Sequence, residues 1–275
     1  MGTLDALMSG AIDYAGLFPP ISLSLDEALR NWCDYQVHPK ARYMGSFVIP
    51  AERLDGLERP PSRVSALVRG TEIARWSHLK AESVEIDLPA ESYGAPDEFL
   101  EAARSAFPGA SRIFVELNWR NEYATVMAAI DVRGGRFGVK LRTGGVTPES
   151  IPPSVEIARF LLAAAERELP LKATAGLHVP VPNVNPSVGA RLHGFLNFFC
   201  GGFLAFTGRG DQAAITRVLE EFGYGDFRFD EDAMRCGDYT FSLKEIEQLR
   251  AGCLLSFGSC SFLEPIEHLA EHDLL

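Results

Sequence analysis

The sequence predicts a closed (β/α)8 barrel, and three observations lead to that fold class. Eight short apolar stretches have strand character, at 11–16, 43–49, 64–70, 83–88, 112–118, 136–141, 170–175 and 254–258. Helical segments separate most of them, an alternation typical of a parallel sheet. The chain has 275 residues, a length at which eight such units form one barrel domain. An open, doubly wound sheet is the alternative, because the first two strands are short.

Alternation within the strands divides their residues between two faces. In the stretch 83–89, Val84 and Ile86 point one way while Glu85 and Asp87 point the other. The polar residues that share the interior parity near the strand ends are Glu85, Asp87, Glu116, Asn118, Lys140, Arg142, Lys172 and Thr174. Branched apolar residues fill a barrel that serves stability alone, so these polar residues predict a functional site at the carboxyl ends of the strands.

The connecting segments carry helix signals. A capping box at Ser24 opens a helix that ends near residue 36, and further helices are expected at about 96–107 and 148–168. The apolar run at 193–206 favours a buried helix. The segment 207–253 then forms a helix–hairpin–helix insertion or cap within the single domain 1–275. Because it precedes the last strand, we expect it over or beside the carboxyl-end mouth.

Bulk properties exclude several classes of partner. A net charge of −11 argues against a nucleic-acid or an anionic-membrane partner, since both bind basic surfaces. The first ten residues lack a basic n-region and an apolar h-region, and no run approaches the length of a membrane span. The five cysteines are odd in number and form no C-x-x-C pair, so a reducing cytoplasm is the simplest setting. We expect no cofactor, and a homo-oligomer stays open.

Two lysines are the central feature of the sequence. Lys140 lies in R-F-G-V-K-L-R-T-G-G and Lys172 lies in L-K-A-T-A-G-L-H, among only five lysines in 26 basic residues. On neighbouring parallel strands their ammonium groups would lie roughly 5 Å apart. A lysine can lose its proton and become a nucleophile, whereas an arginine cannot. Ion pairing with interior carboxylates, in a satisfied polar network, is the alternative explanation.

The segments K-L-R-T-G-G and K-A-T-A-G resemble the two lysine strands of class I aldolases of the deoxyribose-phosphate aldolase kind. That family carries its Schiff-base lysine in a K-x-x-T-G motif on strand six and a second lysine before a glycine-rich turn on strand seven. Lys140, Thr143 and Gly144 match the first motif, while Lys172 and Gly176 match the second without its usual proline and paired glycines. The resemblance covers the segment 136–178 and implies a Schiff-base lyase.

A second similarity covers the whole chain. The segments D-Y-A-G-L-F-P-P, K-L-R-T-G-G, K-A-T-A-G-L-H, H-G-F-L-N and F-G-S-C-S-F-L-E-P look like those of a group of bacterial proteins without an assigned activity. This similarity indicates that the segments form a set. It implies no reaction.

The leading hypothesis is therefore a lyase or aldolase that forms a lysine Schiff base with a small anionic carbonyl compound. A second cation or desolvation would lower the pKa of Lys140 or Lys172, and either lysine could be the nucleophile. The resemblance implies an acidic residue for the proton relay, a part that Asp87 or Glu116 could take. Arg142 would bind the substrate anion. The other candidate substrate-binding residues are Thr143, Gly144, Gly145, Thr174, His178 and Asn118; the glycines are also ordinary turn residues.

Two other functions stay open. His178, His193 and Asn197, with Asp87 or Glu116, could bind a divalent metal in a lyase, isomerase or hydrolase, although no tight histidine spacing supports this. A non-catalytic barrel that binds an anion is the third hypothesis. Further candidates at the mouth are Cys260, as a nucleophile or as packing, and Asp13 and Tyr14, as hydrogen-bond donors.

Overall fold

The computed structural model describes residues 2–275, and its centre is a closed barrel of eight parallel strands. The predicted (β/α)8 fold class is confirmed. The barrel strands, each within two residues of a predicted one, are β1 (Ile12–Tyr14), β2 (Met44–Pro50), β3 (Val64–Val68), β4 (Ser83–Asp87), β5 (Arg112–Leu117), β6 (Phe137–Arg142), β7 (Leu171–Thr174) and β13 (Leu254–Ser259). Their order around the barrel follows the chain, and β13 closes it between β7 and β1.

Helices surround the barrel. In the described part of the chain they are α1 (Thr3–Met8), α2 (Leu25–Tyr35), α3 (Ala51–Leu54), α4 (Asp97–Ala106), α5 (Tyr123–Arg133), α6 (Ser154–Glu166), α7 (Phe195–Phe206), α8 (Gln212–Glu221), α9 (Leu243–Gly252) and α10 (Leu263–Glu271). The predicted capping box starts α2, where the Ser24 hydroxyl accepts a hydrogen bond from the backbone N–H of Glu27. As predicted, α7 is a buried helix. α1, α3, α5 and α10 have no counterpart among the predicted helices.

Two small antiparallel sheets complete the fold. The loop after β7 contains β8 (Asn183–Asn185) and β9 (Ala190–Leu192), and a three-stranded sheet contains β10 (Phe227–Phe229), β11 (Ala233–Cys236) and β12 (Tyr239–Ser242). Because a loop that follows a barrel strand starts at the carboxyl end, the β8–β9 hairpin belongs to the loops on the mouth side.

The three-stranded sheet of the insertion 207–253 does not lie at the mouth. The Thr3 hydroxyl donates a 2.7 Å hydrogen bond to the carbonyl of Asp230, and α1 packs against α9 and β11. Both α1 and α9 lead into the amino ends of barrel strands, so the three-stranded sheet lies at that end. The expected position over or beside the mouth is therefore wrong for this sheet, whereas the end of α8 does lie beside the mouth-side hairpin, where Arg191 on β9 donates a hydrogen bond to the Glu220 carbonyl. The physical reason is connectivity, because α7 already returns the chain to the amino end and β13 must be entered from there.

A buried arginine closes the amino end of the barrel. The side chain of Arg250 donates hydrogen bonds to the backbone carbonyls of Leu7 (2.7 Å), Ser9 (2.9 Å) and Leu254, and its guanidinium lies 4.8 Å from the ring centre of Phe199. Burial lowers the pKa of Arg250 to about 10. Its contacts join the segment before β1 to the start of β13.

A disulfide connects two layers of the fold. Cys200 on α7 and Cys236 on β11 form a disulfide, which the odd cysteine count and their separation of 36 residues did not predict. It links the three-stranded sheet to the helical layer.

None of the helices within residues 2–275 combines the length and the apolar character needed to cross a membrane.

Candidate functional site

Six charged side chains meet inside the barrel and form one chain of alternating sign. In order of contact they are Asp13, Lys172, Glu85, Lys140, Glu116 and Arg142. Three carboxylates therefore balance three cations. We call this set the charge network. Charges removed from water are stable only when they are paired and hydrogen-bonded, and here each has at least one partner.

Glu85 is the centre of the charge network. Its Oε1 lies 2.5 Å from the Nζ of Lys172 and its Oε2 lies 2.6 Å from the Nζ of Lys140, while the Ser65 hydroxyl donates a 2.6 Å hydrogen bond to Oε1. β4 and β7 are not neighbours in the barrel, so the contact between Glu85 and Lys172 crosses its interior. The two ammonium groups are thus held apart by one shared carboxylate.

The inner end of the charge network is sealed. Lys172 Nζ lies 2.6 Å from Asp13 Oδ2 and 5.1 Å from the ring centre of Phe114. Asp13 also accepts hydrogen bonds from the Ser256 hydroxyl (2.6 Å) and the backbone N–H of Ser46 (2.7 Å). A Cβ at position 45 would come within 2.2 Å of Asp13 Oδ1. Glycine at that position therefore allows the carboxylate to lie against the backbone of β2.

The outer end of the charge network reaches the mouth. Lys140 Nζ lies 2.7 Å from Glu116 Oε2, and Glu116 Oε1 accepts a 2.9 Å hydrogen bond from Arg142 Nε. Exposure increases along this path, from 3% for the Lys140 side chain to 15% for Glu116 and 49% for Arg142. Within residues 2–275, the two terminal NH2 groups of Arg142 have no hydrogen-bond acceptor. They are available to an anion in the mouth.

The ion pairs hold the charge network in its ionised form. Burial by itself would lower the pKa of Lys140, but the carboxylates of Glu116 and Glu85 outweigh it and raise that pKa above the ordinary value. The pKa of Lys172 is raised in the same way by Asp13 and Glu85. Burial alone would raise the pKa of Glu85, and the two lysines lower it instead. The expected lowering of a lysine pKa is wrong, because each ammonium is paired with two carboxylates.

Other predicted residues lie outside the charge network. Asp87 ends β4 at the rim, exposed, where Oδ1 accepts a 2.7 Å hydrogen bond from the backbone N–H of Gly70; it pairs with neither lysine in the described chain. The Asn118 amide oxygen accepts a hydrogen bond from the backbone of Arg120. Thr174 is half-buried beside Arg142 in the sheet register. A role for Asp87, Asn118 or Thr174 in catalysis or binding stays a prediction.

The T-G-G segment after β6 forms a tight junction with the end of β7. The buried Thr143 hydroxyl donates hydrogen bonds to the backbone carbonyls of Thr174 (3.1 Å) and Ala175 (2.7 Å). Gly176 has a φ of +80°, and a Cβ on Gly144 would lie 3.0 Å from its Cα. These contacts give Thr143 and Gly144 a structural reason to be present.

Gly145 is also packed closely, since a Cβ there would lie 2.2 Å from the Ser150 hydroxyl oxygen. The backbone N–H groups of Gly144 and Gly145 have no hydrogen-bond acceptor in the part of the chain that the structure describes. Their use in substrate binding, with that of Thr143, stays a prediction.

The histidine set of the metal hypothesis is dispersed. His193 is buried, with Nε2 2.8 Å from the Pro152 carbonyl, and Asn197 donates hydrogen bonds to the carbonyls of Val218 and Phe222. His178 lies instead at the barrel rim, in contact with residues that follow β13. In the described part of the chain, the metal-ligating group that contains His178 includes Cys260 and Glu264 but not His193, and the Asn197 amide is used by two backbone carbonyls.

Two members of the charge network have a larger role in the structure than the sequence predicts. The sequence predicts Asp13 only as a hydrogen-bonding group at the mouth, and it predicts Glu85 as an interior residue with no catalytic role. The available signal was a carboxylate flanked by apolar residues on a short strand, as in Ile12-Asp13-Tyr14. Tyr14 itself is core: it is buried and packs edge-on against Tyr35.

Neither the models of known protein families nor the curated protein sequences match this chain. Its function is therefore inferred from the geometry of the charge network and of the mouth.

Proposed function

We propose that this protein is a lyase or class I aldolase that forms a Schiff base between Lys140 and a small anionic carbonyl compound. One observation carries the proposal: two buried lysines share the carboxylate of Glu85, in a charge network whose outer end is the half-exposed guanidinium of Arg142. Burial of paired lysines is costly, and ionisable groups in such surroundings cluster at functional sites. The proposal keeps the cytoplasmic setting expected from the sequence, although the Cys200–Cys236 disulfide removes the cysteine argument for a reducing compartment.

Lys140 is a better candidate for the nucleophile than Lys172. It contacts Glu116, the carboxylate nearest the mouth, and it lies two residues from Arg142 on the same strand. Lys172 is enclosed by Asp13, Glu85 and the Phe114 ring. A compound that enters from the mouth would therefore meet Arg142 and Glu116 first, and then the amine of Lys140.

Activation of Lys140 requires the loss of one proton, for which Glu116 at 2.7 Å is the outlet on the mouth side; Glu85, at 2.6 Å, is shared with Lys172. Burial alone would raise the pKa of Glu116, while Lys140 and Arg142 lower it. A substrate anion paired with Arg142 would weaken that guanidinium's hold on Glu116. The pKa of Glu116 would then rise, and the proton would pass to it more readily.

The chemistry after activation follows from the groups present. The neutral amine of Lys140 attacks the carbonyl carbon and one amine proton passes to the oxygen, which gives a carbinolamine. Glu116 then protonates the hydroxyl group, water leaves, and an iminium that keeps the last amine proton results. The iminium withdraws electrons from the adjacent carbon, so that a C–C bond can break or a proton can leave there. Lys172 stays protonated between Asp13 and Glu85 and keeps Glu85 ionised, which in turn stabilises the positive iminium.

A non-catalytic barrel that binds an anion is the second candidate function. The observation in its favour is the raised pKa of both Lys140 and Lys172, because a lysine that stays protonated binds an anion and forms no imine. The two candidates predict the same ligand class but differ in covalent chemistry.

Reductive trapping separates them. The folded protein is incubated with borohydride and a panel of 2-oxo acids, aldehydes and keto-phosphates, and peptide mass spectrometry locates any adduct. We expect an adduct on Lys140, faster trapping at higher pH, no adduct in Lys140→Arg, and slower trapping in Lys172→Arg. Lys244→Arg, on exposed α9 surface, is the matched control and should react like the wild type.

One result of the trapping experiment would refute the Schiff-base function. If no compound of the panel is trapped on either buried lysine, the Schiff-base function is refuted. Anion binding measured by calorimetry in the same protein would then establish the second candidate.

A further inference from the structure

A second group of reactive side chains converges at the rim of the barrel, apart from the charge network. His178 Nδ1 lies 3.2 Å from Glu264 Oε2 and 3.7 Å from Cys260 Sγ. Within residues 2–275, these three side chains are a group of nitrogen, sulfur and oxygen donors in which all three ligand atoms lie within 4.8 Å of one another. We call it the rim triad.

Three separate elements build the rim triad. His178 lies in the loop after β7, Cys260 directly follows β13, and Glu264 lies in the first turn of α10. Neighbouring hydrogen bonds fix this geometry, because the Ser261 hydroxyl accepts from the backbone N–H of Glu264 at 3.1 Å. The Ser259 hydroxyl donates to the Ser261 carbonyl at 2.7 Å and thereby holds the turn that carries Cys260.

The spacing of the rim triad suits a tetrahedral ion. With Zn–N and Zn–O bonds of about 2.1 Å and a Zn–S bond of about 2.3 Å, tetrahedral angles separate N from O by about 3.4 Å and N from S by about 3.6 Å. The observed separations are 3.2 and 3.7 Å. The third pair, Cys260 Sγ and Glu264 Oε, lies within 4.8 Å, where a tetrahedral site needs about 3.6 Å. Side-chain movements of about 1 Å would therefore place all three donors around one ion.

Access and chemistry point the same way. Cys260 is 5% exposed, whereas the side chains of His178 and Glu264 are 17% and 41% exposed, so the triad is open on one side. Thiolate and imidazole prefer zinc-class ions to magnesium or calcium. Three protein ligands with one open position are the arrangement of catalytic rather than structural zinc sites.

We propose that His178, Cys260 and Glu264 form a binding site for one divalent metal ion of the zinc class, with a fourth position open toward the barrel mouth. The site requires neither Lys140 nor an imine, so it stands or falls independently of the proposed function. It also differs from the set of His178, His193 and Asn197, which the fold separates.

Cobalt provides the test, because a thiolate bound to Co2+ gives a charge-transfer absorption that identifies the sulfur ligand. The full-length protein is treated with a chelator, freed of it, and titrated with Co2+ and then Zn2+. We expect one Co2+ per chain, a thiolate band, and displacement by Zn2+. Cys260→Ser should abolish the band. His178→Asn and Glu264→Gln should weaken Co2+ binding by roughly tenfold to hundredfold, the range found when a group that supports a metal site is lost.

Matched variants make the result specific. Cys33→Ser and Cys253→Ser change the other free cysteines, and His268→Asn with Glu271→Gln changes a comparable exposed pair on the same helix; all should bind Co2+ like the wild type. In the wild type, Zn2+ should also protect Cys260 from alkylation, a readout that needs no variant to fold.

The proposal is overturned if Co2+ gives no thiolate band with the wild type, or if the band survives in Cys260→Ser. It is also overturned if Zn2+ leaves the alkylation of Cys260 unchanged. The rim triad would then be only a hydrogen-bonded ion pair beside a thiol.

Discussion

Replacement of Glu85 by glutamine tests whether the charge network is as tightly balanced as its geometry indicates. Glu85 is the only carboxylate in the network that binds both Lys140 and Lys172. Glutamine keeps the shape but removes the charge, and its amide would direct a donor at an ammonium group. The network would then hold two carboxylates against three cations, with one uncompensated positive charge inside the barrel.

The size of the effect has a physical ceiling. Loss of one partner of a buried pair typically costs about 3–5 kcal/mol. A buried lysine can instead release its proton. At pH 7, roughly 3.4 units below a reference pKa of about 10.4, this release costs about 1.36 kcal/mol for each unit, which is about 4.6 kcal/mol in total. We therefore expect Glu85→Gln to lower the free energy of unfolding by about 3–5 kcal/mol at pH 7.

The effect of Glu85→Gln on stability should also depend on pH. The folded-state pKa values of Lys140 and Lys172 are raised, so their contribution to wild-type stability is complete below the unfolded pKa of about 10.4 and is lost only as pH rises through the higher folded values. At pH 9.5 the wild-type network is still intact. In the variant, release of a proton then costs only about 1.2 kcal/mol, so the difference between the two proteins should shrink to about that size.

Urea unfolding at pH 7 and pH 9.5, followed by circular dichroism at constant ionic strength, measures both quantities. Glu82→Gln is the matched control, because Glu82 is exposed just before the same strand and its loss should change stability by less than about 0.5 kcal/mol. A difference below about 1 kcal/mol for Glu85→Gln at pH 7, or one that does not shrink at pH 9.5, would contradict the balanced network.

Three further predictions concern other parts of the fold. Arg250→Met should lower the free energy of unfolding by about 3 kcal/mol or more, because three backbone carbonyls lose a buried donor at about 1–3 kcal/mol each; a change below 1 kcal/mol in urea unfolding would show that the arginine is dispensable. Gly176→Ala should cost about 1–2 kcal/mol, since φ is +80° there, whereas Gly109→Ala, where an added Cβ meets open space, serves as its control. Arg142→Lys should weaken binding of the carbonyl ligand by about tenfold, equivalent to one charge-assisted hydrogen bond of about 1.5 kcal/mol, without a change in the urea midpoint; loss of folding instead would make the residue structural.

The sequence by itself determined the barrel and the inward direction of its polar residues. Period-two alternation in the strands depends only on backbone geometry, so Glu85, Glu116, Lys140 and Lys172 could be assigned to the interior before any contact was known. The capping box at Ser24 and the buried helix α7 were equally local signals. Strand ends were correct to within two residues because apolar runs and turn residues mark them directly.

Only the tertiary structure decided which charges are partners. The lysine pKa values depend on distances across the barrel, from Lys172 to Asp13 and to Glu85, between residues that are 159 and 87 positions apart. Sequence spacing holds no information on such separations, so a lowered lysine pKa was expected where a raised one is found. The three-stranded sheet of the insertion 207–253 differs from its expected position for a related reason, because that position depends on how α1 packs against α9 and β11. The rim triad likewise exists only because the closure of the barrel brings β13 beside β7.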